Sequence, residues 1–162
     1  QTIPEDITFT EAGKAAFPSI APLGVQLTRH MAESPCFMRQ RQEETPETWL
    51  AGQKERDSRL FIASHEGRVL AFLEVAAEGE NFAAHFPGMA NICGAYCLPQ
   101  YRGLGIMPRL LNVVLRTLRQ EGYTQLGVDY ESFNLAAQAF WPKYFTPYTN
   151  GVVRRIDENI FQ

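Results

Sequence analysis

Apolar residues recur along this chain with two periods, and the helical one is the stronger. Met107, Leu110, Leu111, Val114, Leu115 and Leu118 fall at i, i+3, i+4, i+7, i+8 and i+11, the spacing of one face of an α-helix. Gly122 can end that helix in a left-handed conformation. Val25, Leu27, Met31, Ala32 and Met38 predict an earlier helix that stops near Ser34-Pro35, because a residue before proline is pushed out of the helical region. Another helix starts at Pro46, with Thr45 as its cap, and runs toward Lys54. Everything before Val25 reads as irregular, punctuated by Pro18 and Pro22, apart from a short strand over 7–9.

The second period is that of strands. Residues 59–64 and 69–76, rich in β-branched and aromatic side chains and joined by Glu66-Gly67, predict a hairpin. Residues 78–89 read as a loop, and 91–98 as a strand covered on both faces. After the amphipathic helix come a strand over 125–132, a helix from Asn134 to about Tyr144 disturbed by Pro142, and a closing strand over 151–157. Hairpins followed by strand, glycine turn, helix, strand predict an α/β fold with a central mixed sheet and helices on both faces.

Composition narrows the class of protein. With 162 residues, 45% hydrophobic and 20% charged, residues 1–162 are expected to form one domain. A formal net charge of -3 and scattered Arg and Lys argue against nucleic acid as a partner. No apolar run approaches the roughly 20 residues of a membrane span, and the N-terminus lacks a signal-peptide pattern, so no membrane partner is expected and the chain reads as cytoplasmic. Cys36, Cys93 and Cys97 are an odd number of cysteines, expected as structural thiols in a reducing compartment. Cys93 and Cys97 are spaced as same-face neighbours of a strand, but no second Cys or His pair completes a metal site, and none is expected. The chain opens on Gln1 rather than Met, which reads as a trimmed chain or a piece of a longer protein.

The candidate chemistry lies in the turn Gln100-Tyr101-Arg102-Gly103-Leu104-Gly105. Two glycines one residue apart, between a strand and an amphipathic helix, let the backbone curl so that several N–H groups at the helix start face one spot. The helix dipole makes that spot attractive to a pyrophosphate. The turn is not a Walker A loop and lacks the third glycine of the dinucleotide fingerprint.

The wider segment resembles the Q/R-x-x-G-x-G/A motif of the GNAT N-acetyltransferases. Asn134, followed by Ala136, Ala137, Phe140 and Lys143, is similar to the start of that family's next helix. The resemblance covers 58–157 best, and 1–57 only in outline as an N-terminal helical part. It implies the GNAT fold, with a splay between two strands that takes acetyl-CoA. It also implies that the backbone amides from Arg102 through Gly103, Leu104 and Gly105 to Ile106 hold the pyrophosphate. The backbone at Cys97 and Leu98 would pair with the pantetheine arm, and Asn134 would bond the same arm while also capping its helix.

Acetyl transfer to an amine needs a base, an oxyanion donor and an acid for the departing thiolate. A backbone N–H near Leu98 is the expected oxyanion donor. Many family members protonate the thiolate with a Tyr seven residues after the helix-starting Asn; here that place is Trp141, and Tyr144 is the substitute. Asn91 and Cys93 stand where some members carry a Glu base, so the base must come from Glu131, Asp129 or Glu74, or the proton leaves through water. Partial burial of Asp129 and Glu131 would suit that role. His30, His65 and His85 are not expected to be catalytic. Phe82, Phe86, Phe133, Trp141, Tyr144 and Tyr148 can line an acceptor pocket or belong to the core. Arg154 and Arg155 read as a solvated strand face. The expected activity is transfer of an acetyl group from acetyl-CoA to a primary amine of a small molecule or peptide. The alternative is a non-catalytic acyl-CoA-binding module of a larger protein. A second copy of the chain or a second GNAT domain is left open as a partner.

Overall fold

The computed structural model describes residues 5–33, 35–38, 43–79 and 86–151. Strands β1 (Thr8–Ala12), β2 (Arg59–His65), β3 (Arg68–Ala76), β4 (Met89–Cys97) and β5 (Gln125–Val128) form one sheet in chain order. The first four are antiparallel neighbours and β5 lies parallel to β4. Helices α1 (Phe17–Ala32) and α2 (Pro46–Glu55) precede β2, α3 (Ile106–Gln120) crosses from β4 to β5, and α4 (Leu135–Phe140) follows. The expected mixed sheet is therefore present.

Local chemistry explains most boundaries. Thr45 accepts a hydrogen bond from the Thr48 N–H while Thr48 Oγ1 accepts from the Thr45 N–H, a capping box that starts α2. Glu66 and Gly67, at φ 48° and 76°, close the β2–β3 hairpin, the positive φ pair that matches strand twist. Gly122 at φ 90° ends α3, as expected. The stripe of α3 buries Ile106, Leu110, Leu111, Val114 and Leu118 against the sheet, each worth roughly 1.5–3 kcal/mol.

Five expectations need correction. The helix predicted from Val25 begins at Phe17. Pro18 sits in its first turn, where no N–H is needed, and the buried side chains Phe17, Ile20, Ala21 and Leu23 outweigh the bond lost at Pro22. The first strand covers Thr8–Ala12 rather than 7–9. The strand predicted over 125–132 stops at Val128, where its partner turns away. Cys93 is passed over in the β3–β4 register, which steps from Glu74↔Gly94 to Val75↔Ile92, so the alternation that would put Cys93 and Cys97 on one face is broken. Asn134 to Tyr144 divides after Phe140 into α4 and a 3-10 turn, Trp141–Lys143, that holds Pro142. Phe82, His85, Arg154, Arg155 and all but Gly151 of the closing strand lie outside the described residues, as does part of the 78–89 loop. No described helix is long and apolar enough to cross a membrane.

Two contacts tie the layers together. A Cβ at Gly24 would lie 2.2 Å from the Trp49 ring, so only glycine lets Trp49 reach the sheet, where it meets Phe72 edge-on at 6.0 Å. Arg59 joins two more elements: its guanidinium donates to both oxygens of Glu11 and both of Glu121 at 2.6–2.9 Å. These bonds hold the Glu121 carboxyl below its ordinary range. A depressed carboxyl stabilises the fold above its unfolded value, about 4.3, and that contribution is lost as pH falls through the folded value. Because the groups are partly exposed, Arg59→Gln should cost only about 0.5–1 kcal/mol. Urea titrations should find that difference at pH 6 and closing as the pH drops below about 4; a difference undiminished at pH 3 would contradict the pairing. Gly24→Val should lower stability by roughly 2–4 kcal/mol through overpacking against Trp49.

Candidate functional site

The site begins where two strands part. β4 and β5 share four register pairs, Met89↔Gln125 to Ile92↔Val128, and then separate. Gly127 permits the close approach before the fork, since a Cβ there would sit 2.5 Å from Met89 Cε and 2.6 Å from Asn91 Oδ1. Beyond the fork β4 continues through Cys97, paired only to β3. A cavity of about 710 Å³ fills the gap. Its walls are β4 from Ile92 to Cys97, the glycine turn, α4 with the 3-10 turn after it, and Leu27, Thr28, His30 and Met31 of α1.

At one end of the cavity the backbone presents donors. Gly103 and Gly105 take φ 75° and 77°, the left-handed region that favours glycine, and a Cβ at either would meet nothing within 4 Å. Gly105 precedes α3 with no side-chain cap. The Arg102 N–H donates to Pro99 O at 3.2 Å, and the next backbone donation to a backbone carbonyl is Arg109 to Gly105 O. The N–H groups of Gly103, Leu104, Gly105, Ile106 and Met107 are therefore not used by the backbone, and Pro108 has none to offer. Five amide donors at the positive end of a fifteen-residue helix make an anion cradle.

The predicted site residues divide in two. Cys97, Arg102, Gly103, Gly105, Ile106, Glu131, Asn134 and Tyr144 all line this one cavity, whereas Leu98, Gln100 and Leu104 do not. Leu98 is buried and its N–H donates to Leu70 O at 2.9 Å, so that amide is committed to the sheet. Arg102 enters through its side chain: Nε donates to Cys97 O at 2.9 Å and the guanidinium lies 5.3 Å over the Tyr96 ring. Asn134 caps α4 by accepting the Ala137 N–H at 3.2 Å, and its Nδ2 donates to Met31 Sδ at 3.5 Å, joining α1 to α4 across the cavity.

The proton-transfer candidates are less enclosed. Glu131 is exposed on the segment after β5, not partly buried as expected, while Asp129 is half-buried; both line the cavity. Tyr144 is half-exposed, its ring 5.0 Å from that of Phe140. Trp141 is buried, packed edge-on against Phe140 and Phe145. Glu74, the third base candidate, lies outside the cavity lining and accepts from Gln53, Arg56 and Ser58. Among the exposed aromatics, Phe86, Phe133 and Tyr148 do not line the cavity. No described group of three His, Cys, Asp or Glu can hold a metal ion.

Sequence reasoning missed the α1 wall and Tyr96. Leu27 and Met31 belong to an apolar stripe, but nothing local tells a stripe that faces a cavity from one that faces the core. Tyr96 gives its hydroxyl to Gln26 Oε1 at 3.3 Å, a contact 70 residues apart in sequence.

Burial pushes the Cys97 thiol up to about 11, against the pull of the Arg102 guanidinium. The thiol therefore stays protonated at neutral pH. Alkylation of Cys97 by iodoacetamide should be slow at pH 8 and accelerate as the pH approaches 11; Arg102→Gln should slow it further. Fast labelling of Cys97 at pH 7 would contradict this environment.

Comparison with known proteins agrees with the geometry. The sequence profile of the Acetyltransferase (GNAT) family matches residues 28–145. No curated protein matches the chain. An aminoglycoside N-acetyltransferase solved in complex with CoA is 16% identical, with a TM-score of 0.73 over 96% of this chain and 99% of that one. A ribosomal-protein-alanine N-acetyltransferase from Brucella melitensis is 12% identical, with a TM-score of 0.70 over 92% and 99%. At such identities these likenesses speak for the fold.

Proposed function

The chain belongs to the GNAT acetyltransferase family, with acetyl-CoA as its co-substrate, and from that premise we propose that it acetylates a primary amine of a small molecule or peptide. The observation that carries this reading is the continuity of the amide cradle at 103–107 with the β4 edge beyond the fork. A pyrophosphate on the cradle leaves the pantetheine arm to run along Cys93–Cys97, where an extended chain can add to the strand edge. The neighbours named above act, by their descriptions, on aminoglycosides and on a ribosomal protein's alanine, which spans both acceptor classes. Their near-complete mutual coverage supports reading 1–162 as one such domain.

Each step of the reaction then has a candidate. The amine arrives protonated and must lose a proton before attacking the thioester carbonyl; Glu131, at the cavity wall, accepts it directly or through water. The oxyanion needs a donor at the cavity surface, and the Leu98 amide is already given to Leu70. Residues 93–97 supply the remaining backbone of that wall. The departing thiolate takes a proton from the hydroxyl of Tyr144, which lines the same cavity. Asn134 orients the arm while it caps α4. Side-chain bonding of Arg102 to Cys97 O links the cradle to the end of β4.

Thiol release from acetyl-CoA over a panel of amines tests this reading. Tyr144→Phe should lower kcat by about a hundredfold with little change in KM for acetyl-CoA. Glu131→Gln should lower kcat/KM at neutral pH and recover as the pH rises toward the amine's own pKa. Gly105→Val should raise KM for acetyl-CoA at least about tenfold, since a side chain strains the positive φ that aligns the cradle amides. Failure of the wild-type chain to consume acetyl-CoA with any amine would overturn the proposed reaction.

A further inference from the structure

Glu74 has no part in the chemistry above, yet it is the only charged residue buried among the described ones. Ser58 Oγ donates to its Oε1 at 2.7 Å and Arg56 Nε to the same oxygen at 3.1 Å; Gln53 Nε2 donates to Oε2 at 3.3 Å. These three donors come from the end of α2 and the turn leading into β2. They fix the carboxylate against the sheet, and its cross-strand neighbour there is Gly94. A Cβ at Gly94 would lie 2.8 Å from Glu74 Oε2 and 3.2 Å from Glu74 Cβ. The carboxylate thus fills the space that any side chain at 94 would occupy.

This pair stands at a singular place in the sheet. The β3–β4 register steps immediately after Glu74↔Gly94, leaving Cys93 as the extra residue of a bulge. Ile92, just before it, makes the last pair with Val128 of β5. The bulge and the fork are therefore adjacent, and a bulge bends its strand and sharpens the local twist. From that bend onward, every residue from Cys93 to Cys97 lines the cavity.

We propose that Glu74 is a positioning residue for the cofactor groove: pressed on Gly94 by Gln53, Arg56 and Ser58, it holds the bulge at which β4 leaves β5. The arrangement is a poor way to gain stability. It buries a charge, and it leaves Gln53 Oε1 buried with no hydrogen-bond partner among the described residues. An apolar side chain would pack this corner without either cost, but it would not be held at one spot by three directional bonds from two further segments. The inference rests on the reading that the groove takes acetyl-CoA.

Steady-state kinetics and CoA titration on Glu74→Gln, Gly94→Ala and the double variant Glu74→Asp with Gly94→Ala test it. Arg59→Gln, whose ion pairs lie away from the cavity, serves as the control for lost stability. Glu74→Gln and Gly94→Ala should each raise KM for acetyl-CoA roughly tenfold, with kcat within about threefold of wild type. Shortening the acid in the Gly94→Ala background draws the carboxylate back from the added methyl and should recover most of that loss, a coupling that independent sites do not show. The proposal is overturned if Glu74→Gln lowers Tm with KM no more changed than in Arg59→Gln, or if the double variant does not lower the KM of Gly94→Ala. If Glu74→Gln does not fold, the rise in KM for Gly94→Ala and its recovery in the double variant decide the matter in the same way. A wild-type protein that binds no CoA sinks the acetyl-CoA reading itself, and this inference with it; one that binds normally while the coupling is absent sinks only this inference.

Discussion

The parting of β4 from β5 after the Ile92–Val128 pair is the constraint on which the rest of the molecule turns. A parallel strand pair satisfies its backbone polar groups through the ladder, and ending that ladder inside the fold leaves groups that need another partner. Here the gap opens beside a helix whose first amides are unused by the backbone. The glycine-turn amides and the β4 edge beyond the fork border one cavity, the surface proposed above for an anionic pyrophosphate and an extended amide arm. Binding of this kind depends little on side-chain identity. Structures at 12–16% identity keep the same architecture over almost the whole chain.

Around this backbone site the side chains divide the labour by distance from the fork. Close to it, Gly127, Gly94 and Glu74 set where the strands part and how β4 bends. At the glycine turn, Arg102 ties the cradle to the Cys97 carbonyl and lies over Tyr96. Further out, Asn134 fastens α4 to Met31 of α1, so the wall carrying Tyr144 is joined to the wall carrying His30. The candidate reacting side chains, Glu131 and Tyr144, sit at the exposed rim.

What could be read from the sequence follows the range of the interactions involved. The α3 stripe, the Thr45 cap, the Glu66-Gly67 turn and the glycine turn are decided by residues within one or two turns of each other, and all appear where the pattern puts them except Leu115 of the stripe, which is exposed. The start of α1 is masked in the sequence by Pro18, which the first turn accepts at no cost, and by Pro22, whose local cost is overridden by burial of Ile20, Ala21 and Leu23 against strands far away in sequence. The early end of β5 and the bulge at Cys93 depend on a strand pair and on a carboxylate held from α2. Neither has a local signature. By sequence alone Glu74 is one more candidate base, and only its three donors and the missing side chain at Gly94 give it a different part.

If the amides after Arg102 and the β4 edge beyond the fork form one binding surface, CoA must perturb both together. Amide chemical-shift mapping by 1H–15N NMR during titration with CoA reads this directly. The largest shifts should fall on Gly103 to Met107 and on Cys93 to Cys97, with Gln125 to Val128 changing less. Saturable binding whose shifts avoid the glycine turn, or no shift at either segment, would contradict a shared surface.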